Sequence, residues 1–301
     1  MKRKILVSAL SGDIGCGIAK ILEAQPGVEL FGCDCNEIAV GMDHVQHFVT
    51  CPLAISSGYI EFILSYCEEN QIDYFIPVNE HEIETVARSR QMFYDKGIKL
   101  LIQSDDILSI CLNKSKTMEL LAAHGVCVPK TYTNIQYVCK PNKSNGSKGI
   151  VIGDVRRDLG ASEDYLIQEY IAGDEYTVGV FQAPQQPLRV IAFKRQLKNG
   201  YSNLVELVHD QPLEQLAARV AKLLQLQGYI NIQLRKRGNA YYIFEINPRI
   251  SGTVRFRDML GFHDVLWWLD MLDGRQPAAY EPRYSKALGI RELNEKFLIK
   301  E

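Results

Sequence analysis

No apolar stretch in this chain reaches the roughly 18–20 residues a helix needs to cross a bilayer, so no membrane span is expected. The basic start Met1-Lys2-Arg3-Lys4 precedes an apolar run of only residues 5–10, which Gly12-Asp13 interrupts. That is too short for a secretory signal, and a cytoplasmic location is the expectation. Charge of one sign is also missing. The chain has 34 Lys and Arg against 36 Asp and Glu, a net −2, which argues against a nucleic-acid partner because phosphate neutralisation supplies much of that affinity. All eight cysteines lie between Cys16 and Cys139, no two have CxxC spacing, and the Cys33/Cys35 pair has no companion histidines. A structural zinc is therefore not expected, and most of these thiols read as buried and reduced. Internal repeats, low-complexity tracts and a Walker GK[ST] loop are absent too. What remains is 301 residues, 47% of them hydrophobic, enough to build about two packed domains.

The first hundred residues alternate strand and helix. Strands are predicted at 4–9, 28–33, 72–78 and 98–102, and helices at 14–24, 59–69 and 80–95. Repeated β-α-β units imply an α/β domain, a parallel sheet covered by helices on both faces. The turn Ser11-Gly12-Asp13-Ile14-Gly15-Cys16-Gly17 joins a strand to a helix N-terminus, where an anion can sit. However, its glycines miss the GxGxxG spacing, and Asp13 and Asp34 compete for the ribose role. A dinucleotide site is disfavoured, and glycines that let a helix approach the sheet are the better reading. Asn79-Glu80-His81-Glu82 follows the 72–78 strand, at the end where open sheets bind ligands. It reads as a substrate contact or as a helix N-cap, with His81 structural.

Ser104-Asp105-Asp106 opens a short helix, and Asn113 caps another that runs to about 124. From 126 onward short strands dominate, at 137–141, 149–153, 165–170, 175–182 and 189–194. A helix at 212–226 and a hairpin of strands 229–235 and 240–247 follow. This second half reads as α+β, after a linker at 125–134. The hairpin ends in Glu245-Ile246-Asn247-Pro248-Arg249. Side chains two apart project from one face of a strand, so Glu245 and Asn247 offer two hard oxygens together, with a cation just beyond. That suits Mg²⁺ holding a nucleotide phosphate beside an anionic substrate. An odd-length connection such as Gly238–Ala240 would set Gln233 opposite Glu245, with Asn231 on the same face and placed to touch phosphate or substrate. Lys140-Pro141-Asn142-Lys143-Ser144-Asn145-Gly146-Ser147-Lys148-Gly149 reads as a loop whose amides close over phosphates, or as a basic hairpin tip. Lys114 is a second phosphate cation. The segment Gln168-Glu169-Tyr170-Ile171 can read an adenine edge through its backbone, and Glu175 can accept from ribose hydroxyls. Each of these alone also reads as a solvated face.

Their order along the chain, from Asn113-Lys114 through Lys140…Gly149, Gln168…Thr177 and Asn231-Ile232-Gln233 to Glu245…Arg249, resembles the ATP-grasp superfamily. Within it, the likeness is to carbamoyl-phosphate-synthetase-like carboxylate–amine ligases. The resemblance implies an α/β pre-ATP-grasp domain at 1–112. A small ATP-grasp subdomain carrying the phosphate lid would follow at 113–190, and a metal- and substrate-binding subdomain at 191–301. It implies ATP bound between the two subdomains. Lys114, Lys140, Gly146 and Ser147 would lie on its phosphates, residues Gln168, Glu169, Tyr170 and Ile171 on adenine, and Glu175 on ribose, with Asn231 nearby. Gln233, Glu245 and Asn247 would hold Mg²⁺, with Mn²⁺ as the alternative metal. It also implies that a small-molecule carboxylate, paired with Arg249, becomes an acyl phosphate and joins an amine, releasing ADP and phosphate. Arg249 and Lys140 are the catalytic candidates. Two departures stand out. Ser144 occupies the first glycine position of the lid pattern KPxxGxGSxG, and no biotin-carrier or glutaminase segment is seen, so biotin carboxylation and complete carbamoyl-phosphate synthesis are not expected. A kinase of the same fold and a non-catalytic nucleotide-binding regulatory module are the alternatives. Arg255 and Arg257 read as contacts to a second acidic group or as surface residues. Trp267-Trp268 reads as a core helix in preference to an interface, and a homodimer stays open.

Overall fold

Apolar runs rich in Ile, Leu and Val, each followed by an amphipathic stretch, build the first part of the chain. The computed structural model describes residues 2–131, 136–142, 149–153 and 164–292. In it β1 (Arg3–Val7) leads to α1 (Asp13–Glu23), β2 (Val28–Asp34), β3 (His47–Thr50) and α2 (Tyr59–Asn70). Then come β4 (Tyr74–Ile76), α3 (Glu80–Arg88), α4 (Arg90–Asp95), β5 (Lys99–Leu100) and α5 (Asp105–Cys111). The five strands form one parallel sheet in the order β3-β2-β1-β4-β5. The helix expected over 80–95 breaks at Ser89 (φ −107°, ψ 13°), and α4 restarts beyond it. Strand β3 escaped the sequence reading because His-Phe-Val-Thr is short and polar at both ends, as an edge strand allows.

After α6 (Lys114–Ala123), β6 (Tyr137–Pro141), β7 (Val151–Gly153) and β8 (Tyr165–Glu169) form a three-stranded antiparallel sheet with β6 in the middle. The larger sheet takes β9 (Glu175–Gln182), β10 (Arg189–Lys198) and β11 (Tyr201–Val208), then, past α7 (Gln211–Leu223), β12 (Gly228–Arg237) and β13 (Ala240–Asn247). Helices α8 (Val254–Met259) and α9 (Asp264–Leu272) precede its last strand, β14 (Leu288–Ile290). The order is β13-β12-β9-β10-β11-β14, antiparallel throughout. The α/β first part and α+β second part follow the expected fold class.

The two parts share a core. Ile5, Val7, Ile18 and Leu22 of the first pack in one cluster with Phe181, Phe193, Tyr229, Trp267 and Trp268 of the second. Two glycines of the first turn permit close packing, Gly15 within the turn itself and Gly17 against the second part. A Cβ on Gly15 would stand 2.4 Å from the Ala9 carbonyl oxygen, and one on Gly17 would stand 2.8 Å from Val254 of α8. The packing reading of these glycines therefore holds. Asp34 is held by its own loop, accepting from Ser11 N (2.7 Å) and Asn36 N (2.9 Å). On the opposite edge Asp273 draws together Arg3 (2.7 Å) and Lys99 (2.6 Å).

Arg257, read as a substrate contact or a surface residue, is neither. It is wholly buried and donates through Nε to Asp264 (3.0 Å), and through Nη1 to Ser251 (2.8 Å) and Thr253 (2.6 Å). Its guanidinium lies over the Tyr229 ring, 4.6 Å from the centroid. Arg257→Met would strand the Asp264 carboxylate in the core. It is expected to cost about 3–5 kcal/mol in urea unfolding, and adding Asp264→Leu should recover most of the loss.

Candidate active site

The hairpin of β12 and β13 brings the acidic and amide side chains together, by a route the sequence reading missed. The connection is the short turn Gly238-Asn239, with Arg237 opposite Ala240, and the ladder runs evenly to Leu234 opposite Ile243. There β13 gains one residue, Phe244, so that Gln233 faces Glu245 and Asn231 faces Asn247. This bulge, and not an odd-length turn, restores the face-sharing that the spacing predicted. It also turns the Phe244 carbonyl toward Lys140, whose Nζ donates to it at 2.7 Å and lies 5.5 Å from the Phe244 ring centroid.

Lys140, from the end of β6, and Lys114, at the first position of α6, meet here. Both are buried, and Lys114 Nζ is 3.4 Å from Glu245 Oε1. Burial pushes the Lys140 ammonium down to about 8. Glu245 pulls it the other way, and Lys114 adds to the depression. Among the described residues the cluster sets two ammonium groups beside one carboxylate, which suits an incoming polyanion.

A cavity of about 870 Å³ opens in front of these groups. Its walls include Lys114, Lys140, Gln233, Phe244, Glu245, Asn247 and Arg249. They also include Gln168, Glu169, Tyr170 and Ile171, with the half-exposed Ile150 and Ile152 giving an apolar face. Ser11, Gly12 and Asp13 of the α1 turn and Asn79 before α3 line it too. Glu175 also lines it, held by Arg195 (2.7 Å) and Arg235 (2.8 Å) on either side. Arg195 Nη2 reaches on to Gln233 Oε1 at 2.9 Å. These two arginines were not singled out in the sequence. They flank Glu175 in the ladders of β10 and β12, so only the strand order reveals them.

Other expected residues fall elsewhere. Asn231 is fully buried behind the wall and does not line the cavity. Its Oδ1 accepts from Thr177 (2.7 Å) and Ser251 (3.2 Å), where a phosphate or substrate contact was expected. Arg255 points outward to Asp258 (3.2 Å), a surface pair. Asn79 caps α3 and also lines the cavity. Glu80 binds Arg249 at 2.7 Å. Gly146 and Ser147 lie outside the described residues.

Comparison with known proteins agrees with this geometry. Residues 161–296 match the family described as ATP-grasp in the biosynthetic pathway with Ter operon, and residues 12–101 match the PylC-like N-terminal domain. Over 97% of its length the chain superposes on 83% of N5-carboxyaminoimidazole synthetase from Staphylococcus aureus, in its ADP complex, with a TM-score of 0.76 at 13% identity. By the first of these matches the second part of the chain is similar to the ATP-grasp family. Biotin carboxylase from Campylobacter jejuni gives a TM-score of 0.74 at 15% identity, over 93% of this chain and 73% of that one. An L-amino acid ligase from Bacillus licheniformis gives 0.70 at 15%, over 93% and 78%. In sequence, the chain is 27% identical over 194 residues to the tyramine–L-glutamate ligase of Methanocaldococcus jannaschii, a match that takes 63% of this chain and 60% of that protein.

The ATP-grasp likeness raises the question of a metal. Among the described residues no group of three or more His, Cys, Asp or Glu side chains forms a metal cage. Gln233, Glu245 and Asn247 offer one carboxylate and two carboxamides, a donor set that fits a hydrated Mg²⁺ shared with phosphates. One oxygen of each already meets a cation, from Arg195, Lys114 and Arg249 (3.2 Å to Asn247 Oδ1) respectively. Asn247 Nδ2 is buried with no partner among the described residues, so protein contacts alone leave this carboxamide unsatisfied.

The depressed Lys140 pKa has a signed consequence. Between about 8 and the ordinary 10.5 the unfolded chain binds more protons at this group than the folded one. The penalty for burying the charge is therefore fully present below about 8 and is relieved as pH climbs toward 10.5. An NMR titration of the lysine ε-methylenes should show one midpoint near 8 that is lost in Lys140→Met. Inorganic tripolyphosphate should bind the wild type progressively more weakly above that midpoint.

Proposed function

We propose that this chain is an ATP- and Mg²⁺-dependent carboxylate–amine ligase acting on small molecules. The observation that carries the reading is the Lys114–Glu245–Lys140 cluster on the wall of a large cavity, with Arg249 beside it. The ligases among its relatives support the same reading. Lys114 and Lys140 neutralise the nucleotide phosphates, and Gln168 to Ile171 with Ile150 and Ile152 receive the base. Glu175, already bonded to two arginines, faces the ribose through its remaining acceptor capacity. Gln233, Glu245 and Asn247 hold the Mg²⁺. A metal held by these three residues would offset the charge that builds up during transfer.

Arg249 orients the substrate carboxylate. A carboxylate oxygen bonds to the γ-phosphorus as the bond to the β–γ bridging oxygen breaks, releasing ADP. The amine then attacks the acyl carbon, its proton passes to solvent, and phosphate departs with the bonding pair. Arg249 remains beside the oxyanion of that second step. Mn²⁺ serves as an alternative metal in this reading, and a homodimer is compatible with it.

The test is ADP release over a matrix of small acids and amines, with hydroxylamine as a surrogate amine. Hydroxamate formed at the expense of ATP is the expected result. ADP release with a stable phosphorylated product and no hydroxamate would mean a kinase, and tight ATP binding with no turnover would mean a regulatory module. Glu245→Gln should lower ADP release at least about a hundredfold, the scale of losing one preorganised electrostatic contact. Unchanged Mg²⁺ dependence in that variant would remove Glu245 from the metal site.

A further inference from the structure

Arg249 is gripped from the other domain. Glu80, 169 residues away, accepts from its Nε (3.1 Å) and Nη2 (2.7 Å) through one oxygen, and both side chains are mostly shielded from solvent. Nη2 also donates to Asn247 Oδ1 (3.2 Å) and Nη1 to the Ile250 carbonyl (3.1 Å). A guanidinium has five N–H groups, and these contacts use four of them. One Nη1–H is left for a ligand in the cavity that Arg249 lines.

Glu80 cannot drift, because the start of α3 is over-determined. The Asn79 side chain accepts from His81 N (3.0 Å). Buried Glu82 reaches back to Asn79 N (3.2 Å) and Val78 N (2.9 Å), a reciprocal cap. Glu82 is itself held by Ser8 (2.5 Å) and Tyr59 in the core of the parallel-sheet domain. A continuous chain of contacts thus runs from that core through α3 to the guanidinium.

We propose that Glu80 is a positioning residue for Arg249, through which the N-terminal domain aims the guanidinium at the substrate carboxylate. This rests on the reading of Arg249 given above. Glu80 also cancels most of the cation's long-range pull, so Arg249 selects its ligand by the direction of its free N–H more than by charge. A guanidinium loosened from Glu80 costs orientation, for which misplacement of about 1 Å is worth up to about a hundredfold in rate.

The test compares Glu80→Ala and Glu80→Gln with the wild type. In Glu80→Ala, kcat should fall about 10–100-fold with the KM for ATP unchanged. Glu80→Gln keeps the acceptor oxygen and should restore most of kcat. The Arg249 Nε–H proton, assigned by its loss in Arg249→Lys, should be protected from solvent exchange in the wild type and in Glu80→Gln, and unprotected in Glu80→Ala. An equally protected Nε–H in Glu80→Ala, or an unchanged kcat, would overturn the proposal. So would tighter acid binding in both variants, which would mean that Glu80 merely screens Arg249. If the wild type releases no ADP with any acid, the ligase reading fails, while the exchange measurement still decides whether Glu80 holds Arg249.

Discussion

A single extra residue in one ladder organises the site. Without Phe244 as a bulge, the register set by the Gly238-Asn239 turn would put Gln233 opposite Phe244, with Glu245 on the other face. With it, Glu245 and Asn247 share a face with Gln233, and the freed Phe244 carbonyl becomes the acceptor that anchors Lys140. The metal-type oxygens and one of the phosphate-type cations are thus placed by the same backbone irregularity, and bulges recur beside active sites for this reason.

Electrostatics then follow from crowding. Burial in a poorly hydrated wall is why Lys140 loses its proton more readily than an exposed lysine, with Glu245 opposing that loss and Lys114 adding to it. Around them, arginines and oxygen acceptors alternate across the sheet, from Arg235 and Arg195 on Glu175 to Arg195 on Gln233 and Arg249 on Asn247. These protein–protein pairs hold the side chains of the cavity wall in place before any ligand enters.

The N-terminal domain is more than a neighbour. Its α1 packs on α8 through Gly17, and its β1, β4 and β5 strands meet α9 through Asp273. Its α3 delivers Glu80 to Arg249. The buried Arg257–Asp264 pair stiffens the loop of Ser251 and Thr253 that lies between these attachments. The cavity is consequently referred to rigid elements and not to loops alone.

Much of this was legible in the chain itself. Period-two spacing put Glu245 and Asn247 on one face, alternating strand and helix patterns foretold the parallel sheet, and capping residues such as Asn79, Ser104 and Asn113 marked helix starts. These signals are local, because backbone geometry alone relates residues a few positions apart. Everything that depended on which strand lies beside which was hidden: the two arginines on Glu175, the retreat of Asn231 behind the wall, and the burial of Arg257. The sequence determined which chemical groups were present and which of them faced the same way. Only the tertiary structure decided which of them were paired, since pairing joins residues as far apart as Glu80 and Arg249, and that distance is closed by packing a common core.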